Sequence, residues 1–273
     1  MDWSKNWVAV FRAKNKNLRA VEKDEIDFVD INALVGLKFQ KQELLKNTEN
    51  FILGKGANHA LLWGERGCGK SSLAKAVFTK FFSRNLRVIE IGKDDLENLV
   101  DILDEIRREP FYFIIFCDDL SFEQGDDSYK HLKPLLDGSM QKAPKNVLMY
   151  ATSNRRHIVS EYMKDNQNIE VTNDEIHYKD AVEERISLSD RFGLQLSFYQ
   201  GNFEEYLRIV DNYFSNYLNY NDIKNSDENG RENFEKRREN LHNEAKKYAM
   251  LRASRSGRTA KQFYLAYKEV FCV

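Results

Sequence analysis

Short apolar runs alternate with helically spaced segments over the first two thirds of the chain. The runs are continuous in apolar side chains and rich in β-branched and aromatic residues, which indicates buried strands. The segments between them, such as residues 71–84, place apolar residues three and four positions apart, which predicts helices. This alternation predicts an α/β fold with a mostly parallel sheet. The five predicted strands lie at residues 59–63, 86–91, 111–116, 147–152 and 194–199.

The pattern becomes purely helical after residue 200. Three helical segments follow, at residues 203–217, 232–252 and 259–271. The stretch 219–231 between the first two is rich in Asn, Asp and Gly, so we expect a loop or a locally disordered insertion there. The predicted parts are an N-terminal arm at 1–33, an α/β domain at 34–200 and a helical domain at 201–273.

Charge and cysteine content narrow the class of protein. The chain has 273 residues and a formal net charge of −1, which argues against a protein that coats nucleic acid through bulk positive charge. Its 42% hydrophobic and 31% charged residues exclude a wholly disordered chain. The three cysteines lack CxxC spacing, so neither a disulfide framework nor a zinc site is predicted. The sequence shows no secretory signal and no apolar run of about 20 residues, so we expect a cytoplasmic protein without a membrane span.

A glycine-rich turn follows the first predicted strand and opens a predicted helix. Residues 64–71 read Gly-Glu-Arg-Gly-Cys-Gly-Lys-Ser and match the pattern GxxxxGKS/T. Glycines let backbone N–H groups surround phosphate oxygens, and the helix N-terminus adds partial positive charge. The alternative is a chance turn, for which residue frequencies give on the order of one match per hundred such chains. The predicted phosphate-binding residues are Gly64, Glu65, Arg66, Gly67, Cys68 and Gly69.

The three residues that close this turn have separate expected roles. We expect Lys70 to reach the β- and γ-phosphates and the Ser71 hydroxyl to bind Mg²⁺. Ser72 is expected to meet the α-phosphate through its side chain or its amide. The sequence therefore predicts ATP or a related nucleotide, together with Mg²⁺, as the ligands of this segment.

Two carboxylates follow the third predicted strand, at the edge where open α/β sheets bind ligands. Asp118 is expected to hold Mg²⁺ through water, and Asp119 to act as the general base on the attacking water. A strand-ending turn that favours Asp is the alternative. Asn154 follows the fourth predicted strand and is expected to orient the same water. Arg155, Arg156 and His157 behind it belong either to a polar loop or to a partner surface.

Arginines are candidates for neutralising the charge that develops on a transferred phosphoryl group. Arg191 lies just before the last predicted strand and is a candidate to act on a neighbouring subunit, with Arg185 as a weaker alternative. Arg258 begins the last predicted helix and could reach back to the nucleotide. Exposed arginines are common, so surface or capping charges are the alternative for each of them.

Together these residues resemble the AAA+ ATPase superfamily. The turn at 64–71 matches the Walker A element of that superfamily, and residues 114–119 match its Walker B element. Asn154 matches the residue called sensor 1. Arg191 matches the arginine finger, and Arg258 matches sensor 2. The sequence is more narrowly similar, over roughly residues 34–271, to the bacterial family called domain of unknown function 815. The strings that carry this similarity are LLWGERGCGKSS, FCDDLSFE, YATSNRRHI, SLSDRFGL and SRSGRTAKQF.

The resemblance implies a P-loop, ASCE-type αβα sandwich with a five-stranded parallel sheet in the order 5-1-4-3-2 and a C-terminal helical lid. It implies ATP rather than GTP, and ring-like or stacked homo-oligomers. It places Val35 and Gly36 near the adenine, Arg258 on the γ-phosphate of its own subunit and Arg191 in a neighbour's site. Most members have Glu where this chain has Asp119, which shortens the base by one methylene and predicts slow turnover.

The expected function is Mg²⁺-dependent hydrolysis of ATP to ADP at a subunit interface, driving conformational remodelling of an unidentified protein or DNA partner. The alternative is a loader-like assembly switch that holds ATP and hydrolyses it only when that partner docks, which Asp119 favours and Arg155 and Arg156 weakly support. A third alternative, nucleotide binding for stability alone, leaves the sensor and finger residues without a role.

Overall fold

The computed structural model describes residues 1–122, 128–137, 140–154, 188–218 and 228–271. The chain divides into two compact units. The first comprises Met1–Val29, Phe39–Gly64 and Lys70–Ser197, and the second comprises Asp30–Lys38, Glu65–Gly69 and Phe198–Val273. The division predicted from the sequence, at residues 33 and 200, stays a prediction.

Strands and helices alternate through most of the first unit, as expected for an α/β fold. The strands are β1 Val8–Arg12, β2 Asn17–Val21, β3 Ala60–Gly64, β4 Leu86–Glu90, β5 Tyr112–Cys117, β6 Val147–Ser153 and β7 Leu194–Phe198. The helices among them are α1 Lys38–Ile52, α2 Lys70–Phe81, α3 Leu99–Ile106 and α4 Lys133–Leu136. Short 3₁₀ helices lie at Ala13–Asn15, Phe82–Arg84, Lys93–Asn98 and Ser128–Leu132.

Among the described residues the sheet has seven strands in the order β2-β1-β4-β5-β6-β3-β7, so the expectation of five strands is wrong. The five predicted strands are β3 to β7 and occupy consecutive places in it. The full order differs from 5-1-4-3-2 because β1 and β2 extend the sheet beyond β4. β1 runs parallel to β4, with Val8 beside Val88, and β2 pairs antiparallel with β1.

The first unit buries a large cluster of apolar side chains that includes residues of the sheet. The central strands carry it: every residue of β6 is buried, as are the last five residues of β5. A strand buried on both faces reads as a continuous apolar run, which is why these two strands are visible in the sequence. Their carboxyl ends, at Cys117 and Ser153, lie side by side, since Cys117 pairs with Ala151 in a parallel register. The chain leaves β5 there through Asp118 and Asp119.

The second unit is helical beyond β7. Its helices are α5 Phe203–Tyr213, α6 Ser215–Leu218, α7 Glu228–Leu251 and α8 Gly257–Phe271. Tyr206, Phe214 and Phe263 are among the buried residues of its core. Helix α7 begins at Glu228, so the end of the predicted loop 219–231 is helical; residues 219–227 lie outside the described ranges. None of the described helices is both long and apolar enough to cross a membrane.

Candidate nucleotide site

The turn from β3 into α2 has the backbone that a phosphate-binding loop needs. Gly67 and Gly69 have φ of +77° and +93°, in the region that disfavours side chains. A Cβ at Gly67 would lie 2.8 Å from Ser256 Oγ, and a Cβ at Gly69 would lie 3.1 Å from Leu37 Cδ1. Glycine is therefore favoured at both positions by conformation, and at Gly67 by space as well. Such a backbone presents N–H groups to phosphate oxygens at the start of a helix.

Lys70, the first residue of α2, is buried although its side chain is charged. Only 7% of the residue is exposed, and its Nζ donates to the Gly64 carbonyl at 2.8 Å and to Asn154 Oδ1 at 3.1 Å. The burial is tolerated because the ammonium group is hydrogen-bonded. The structure therefore brings Lys70 together with Asn154. Ser72 follows in the first turn of α2 and is half-buried.

The carboxylates that follow β5 are held by side chains from two other elements. Asp118 Oδ1 accepts hydrogen bonds from Ser71 Oγ at 2.6 Å and from Thr152 Oγ1 at 2.5 Å. Asp119 Oδ1 accepts from Asn154 Nδ2. Asp119 is also left-handed, with φ of +57°, a conformation that Asp and Asn adopt more readily than most residues. The hydroxyl predicted to bind metal and the carboxylate predicted to bind metal are therefore in direct contact.

The donor set at this point suits Mg²⁺. Ser71 and Asp118 offer hard oxygen atoms, and Mg²⁺ is commonly bound by one or two such protein ligands with the remaining positions left to phosphate oxygens and water. No group of three or more His, Cys, Asp or Glu that could hold a metal occurs among the described residues. This site therefore differs from a cage in which protein side chains supply most ligands.

Cys117 lies directly before the carboxylate pair but is chemically inert. Burial, with a smaller contribution from the charge of Asp118, raises the pKa of its thiol to about 12. The thiol is therefore protonated at neutral pH, and only a thiolate is a good nucleophile or metal ligand. The chemistry at the end of β5 belongs to the two aspartates.

Within the second unit, the start of α8 contacts the glycine-rich turn at residues 65–69. The Arg258 N–H donates to the Gly67 carbonyl at 3.2 Å, and the Ser256 hydroxyl caps the helix by accepting from the Thr259 N–H at 3.2 Å. Arg258 is exposed. Its backbone is therefore fixed beside the loop at which its side chain is predicted to act, and that role of the side chain stays a prediction.

The segment predicted to lie near adenine meets the same loop. Gly36 has φ of +76°, and a Cβ built there would find no atom within 4 Å, so conformation rather than space requires glycine. The next residue, Leu37, makes the contact with Gly69. The predicted roles of Val35 and Gly36 stay predictions. The contact of Leu37 with Gly69 could not be predicted, because one leucine in an apolar turn carries no signal.

Arg191 forms an ion pair within its own chain. Its Nε lies 2.7 Å from Asp137 Oδ1, while its Nη1 is buried and has no hydrogen-bond partner among the described residues. The predicted contact of Arg191 with a neighbouring subunit stays a prediction. Arg155, Arg156, His157 and Arg185 lie outside the described residues.

Sequence reasoning also missed Thr152 and Ser256. Thr152 binds both the side chain of Asp118 and the backbone of Asp119, and Ser256 packs against Gly67. Hydroxyl residues are common at strand and helix ends, so neither stood out. The signal available for Thr152 was its register: it lies near the end of the strand that neighbours the carboxylate strand.

Comparisons with known proteins give a family and distant structural relatives. No curated protein matches the chain. Thermotoga maritima RuvB, a Holliday junction branch migration motor, is 14% identical with a TM-score of 0.45, covering 87% of this chain and 71% of RuvB. Aeropyrum pernix ORC1 in complex with DNA is 14% identical with a TM-score of 0.48, covering 69% of this chain and 50% of ORC1.

DnaI is 14% identical with a TM-score of 0.44, covering 73% of this chain and 97% of DnaI. The sequence profile described as "Protein of unknown function (DUF815)" matches residues 4–269, nearly the whole length. The chain therefore belongs to the DUF815 family.

Proposed function

We propose that the chain is an AAA+ type ATPase that binds ATP and Mg²⁺ at the turn between β3 and α2. One observation carries this proposal: Lys70 bonds to Asn154, which bonds to Asp119, and Ser71 bonds to the neighbouring Asp118. These residues come from three separate parts of the sequence. A chance glycine-rich turn gives no reason for a lysine, a hydroxyl and two carboxylates to meet behind it.

Each side chain then has a role in the proposed reaction. Lys70 pairs with the phosphates, and Ser71 with Asp118 holds Mg²⁺, which supplies positive charge against the phosphate oxygens. Asp119 takes the proton from the attacking water, and Asn154, whose amide donates to Asp119, orients that water. Arg258 senses the γ-phosphate in its own subunit, and Arg191 completes the site of a neighbour in a homo-oligomer. The C-terminal helices act as the lid that the AAA+ resemblance implies.

The output of the ATPase is conformational remodelling of a protein or DNA partner in the cytoplasm. A second candidate is the assembly switch, in which ATP is held and hydrolysed only after a partner docks. The contact between Asn154 and Asp119 favours this candidate, since it engages the base carboxylate within the chain itself. Stimulation of ATP turnover by single- or double-stranded DNA would separate the switch from a constitutive motor.

The test compares ATP binding and ATP turnover in the wild type, Lys70→Ala and Asp119→Asn. Asn tolerates the left-handed backbone of Asp119 and removes only the basic carboxylate. Asp119→Asn is expected to bind ATP normally and to lower turnover by about 10²–10⁴, the usual contribution of a general base. Lys70→Ala is expected to lose ATP binding. Equal turnover in the wild type and Asp119→Asn would overturn the assigned role of Asp119, and no ATP binding by the wild type would overturn the proposed function.

A further inference from the structure

Thr152 is the penultimate residue of the buried strand β6 and is joined to three consecutive residues that follow β5. Its hydroxyl Oγ1 lies 2.5 Å from Asp118 Oδ1 and accepts the Asp119 N–H at 2.9 Å. Its carbonyl accepts the Leu120 N–H at 2.7 Å. Only 2% of Thr152 is exposed, so water does not compete freely for these bonds.

The direction of the hydroxyl is fixed by its two partners. A backbone N–H can only donate, so Thr152 Oγ1 must accept from Asp119. An ionised carboxylate can only accept, so the single hydroxyl hydrogen goes to Asp118. The bond to Asp118 is charge-assisted and therefore stronger than one between neutral groups. One side chain thus orients a carboxylate and anchors the backbone of the next residue.

The backbone that Thr152 anchors is strained at Asp119. Asp119 has φ of +57°, and a non-glycine residue in the left-handed region persists only where surrounding contacts hold it. The N–H groups of Asp119 and Leu120 both donate to Thr152, so the peptide units before and after the Asp119 Cα are each held by one hydrogen bond. Loss of the hydroxyl would release one of these contacts and leave the Asp119 N–H without its acceptor.

We propose that Thr152 is the positioning residue of the carboxylate pair: its hydroxyl sets the orientation of Asp118 toward Mg²⁺ and holds Asp119 in its left-handed conformation. The role rests on the proposed function, since it concerns the same site. Side chains that hydrogen-bond to a metal ligand and orient it commonly change metal affinity or activity by about 10–100-fold when they are removed. Thr152 is placed to be such a group, although it touches neither substrate nor metal.

A second buried threonine, Thr48, lies away from the site and serves as a comparison for Thr152. Thr48 Oγ1 is fully buried and lies 2.8 Å from both the Leu44 carbonyl and the Tyr150 hydroxyl. Neither partner is a carboxylate. Thr48→Val therefore removes a buried hydroxyl from the same unit without touching the site, and it is the matched control for Thr152→Val.

The experiment measures the Mg²⁺ dependence of ATP binding in the wild type, Thr152→Val, Thr152→Ser and Thr48→Val. Valine keeps the shape of threonine and removes only the hydroxyl, whereas serine keeps it. Thr152→Val is expected to need about 10–100-fold more Mg²⁺ for the same gain in ATP affinity, while ATP binding in EDTA is unchanged. Thr152→Ser is expected to restore most of the Mg²⁺ dependence, and Thr48→Val to match the wild type.

A second readout needs neither nucleotide nor metal. Amide hydrogen exchange of the full chain is expected to speed up at Asp119 and Leu120 in Thr152→Val and to stay at the wild-type rate there in Thr48→Val. Unchanged Mg²⁺ dependence together with unchanged exchange would overturn the role of Thr152. If the wild type binds no ATP, the proposed function fails while exchange still tests the positioning. If Thr152→Val does not fold, Thr152→Cys, whose thiol is a weak hydrogen-bonding group, replaces it.

Discussion

At the scale of single residues, the site is a series of hydrogen bonds that runs from Lys70 through Asn154 to Asp119. Asn154 is the middle member: its oxygen accepts from Lys70, and its nitrogen donates to Asp119. An amide is suited to this place because it carries a donor and an acceptor, whereas a carboxylate offers only acceptors. The residue predicted to orient the attacking water is therefore in contact with the residues proposed to bind phosphate and to activate water.

Substitution of Gly67 tests whether the shape of the turn between β3 and α2 matters for ATP binding. Gly67→Ala introduces a Cβ at a left-handed position, 2.8 Å from Ser256 Oγ, so the loop must shift. Strain of this kind costs about 1–3 kcal/mol, so we expect the Kd for ATP to rise about tenfold or more. Isothermal titration with ATP and Mg²⁺ measures this change.

Gly56 provides the control for Gly67. Its φ is +84°, close to that of Gly67, but a Cβ there would meet no atom within 4 Å. Gly56→Ala is therefore expected to cost about 1 kcal/mol of stability and to leave the Kd for ATP unchanged. An equal loss of ATP affinity in both variants would mean that the clash with Ser256 has no part in shaping the loop.

The residues of the site differ in how far the sequence reveals them. Lys70, Ser71, Asp118 and Asn154 are visible because their side-chain chemistry coincides with the end of a recognisable strand or the start of a helix. Thr152 is brought to the carboxylates by contacts between strands that are distant in the sequence, so only the register of β5 and β6 reveals its position. Contacts that depend on tertiary structure leave no local pattern.

At the scale of elements, the N-terminal hairpin is the main difference between expectation and structure. β1 and β2 extend the sheet, and Trp3 before them is buried with its ring 4.9 Å from that of Phe113. The Trp3 carbonyl accepts from Arg87 Nε at 2.6 Å, which gives a buried guanidinium a partner. Trp3, Ala9 and Phe11 therefore belong to the core of the first unit.

Truncation of Trp3 tests this packing. Trp3 is 2% exposed, and replacing a buried Trp by Ala typically costs 3–5 kcal/mol. We therefore expect Trp3→Ala to lower the free energy of unfolding by about 3–5 kcal/mol, measured by urea denaturation. Phe39→Ala removes a large side chain that is 66% exposed, and is expected to change the free energy of unfolding by no more than about 0.5 kcal/mol. A loss below about 1 kcal/mol in Trp3→Ala would show that the hairpin adds little to the fold.

The five central strands could be predicted, and the hairpin could not, for a physical reason. β5 and β6 are buried on both faces and therefore appear as unbroken apolar runs. β1 alternates buried and half-buried residues over only five positions, and its neighbour β2 is an edge strand with no fully buried residue. The left-handed residue in their connection is Lys16 rather than Gly, so the usual hairpin signal is missing.

At the scale of the whole molecule, the proposed function requires residues from two chains to complete one site. Arg191 is paired with Asp137 of its own chain, and the proposed function requires its guanidinium to serve a second copy. An arginine supplied in this way contributes a factor of about 10³–10⁵ to turnover in related chemistry. Turnover that depends on a neighbour must rise as subunits associate, whereas ATP binding by Lys70 and Ser71 need not.

The most direct test of this account is Mg²⁺-ATP turnover per subunit over a wide range of protein concentrations, for the wild type and Arg191→Ala. We predict that wild-type turnover per subunit rises with concentration and then levels off. Arg191→Ala is predicted to bind ATP normally and to stay about 10³-fold or more below the wild-type plateau. Turnover per subunit that is independent of concentration and equal in the two proteins would contradict a site shared between subunits, and no turnover at any concentration would contradict constitutive hydrolysis.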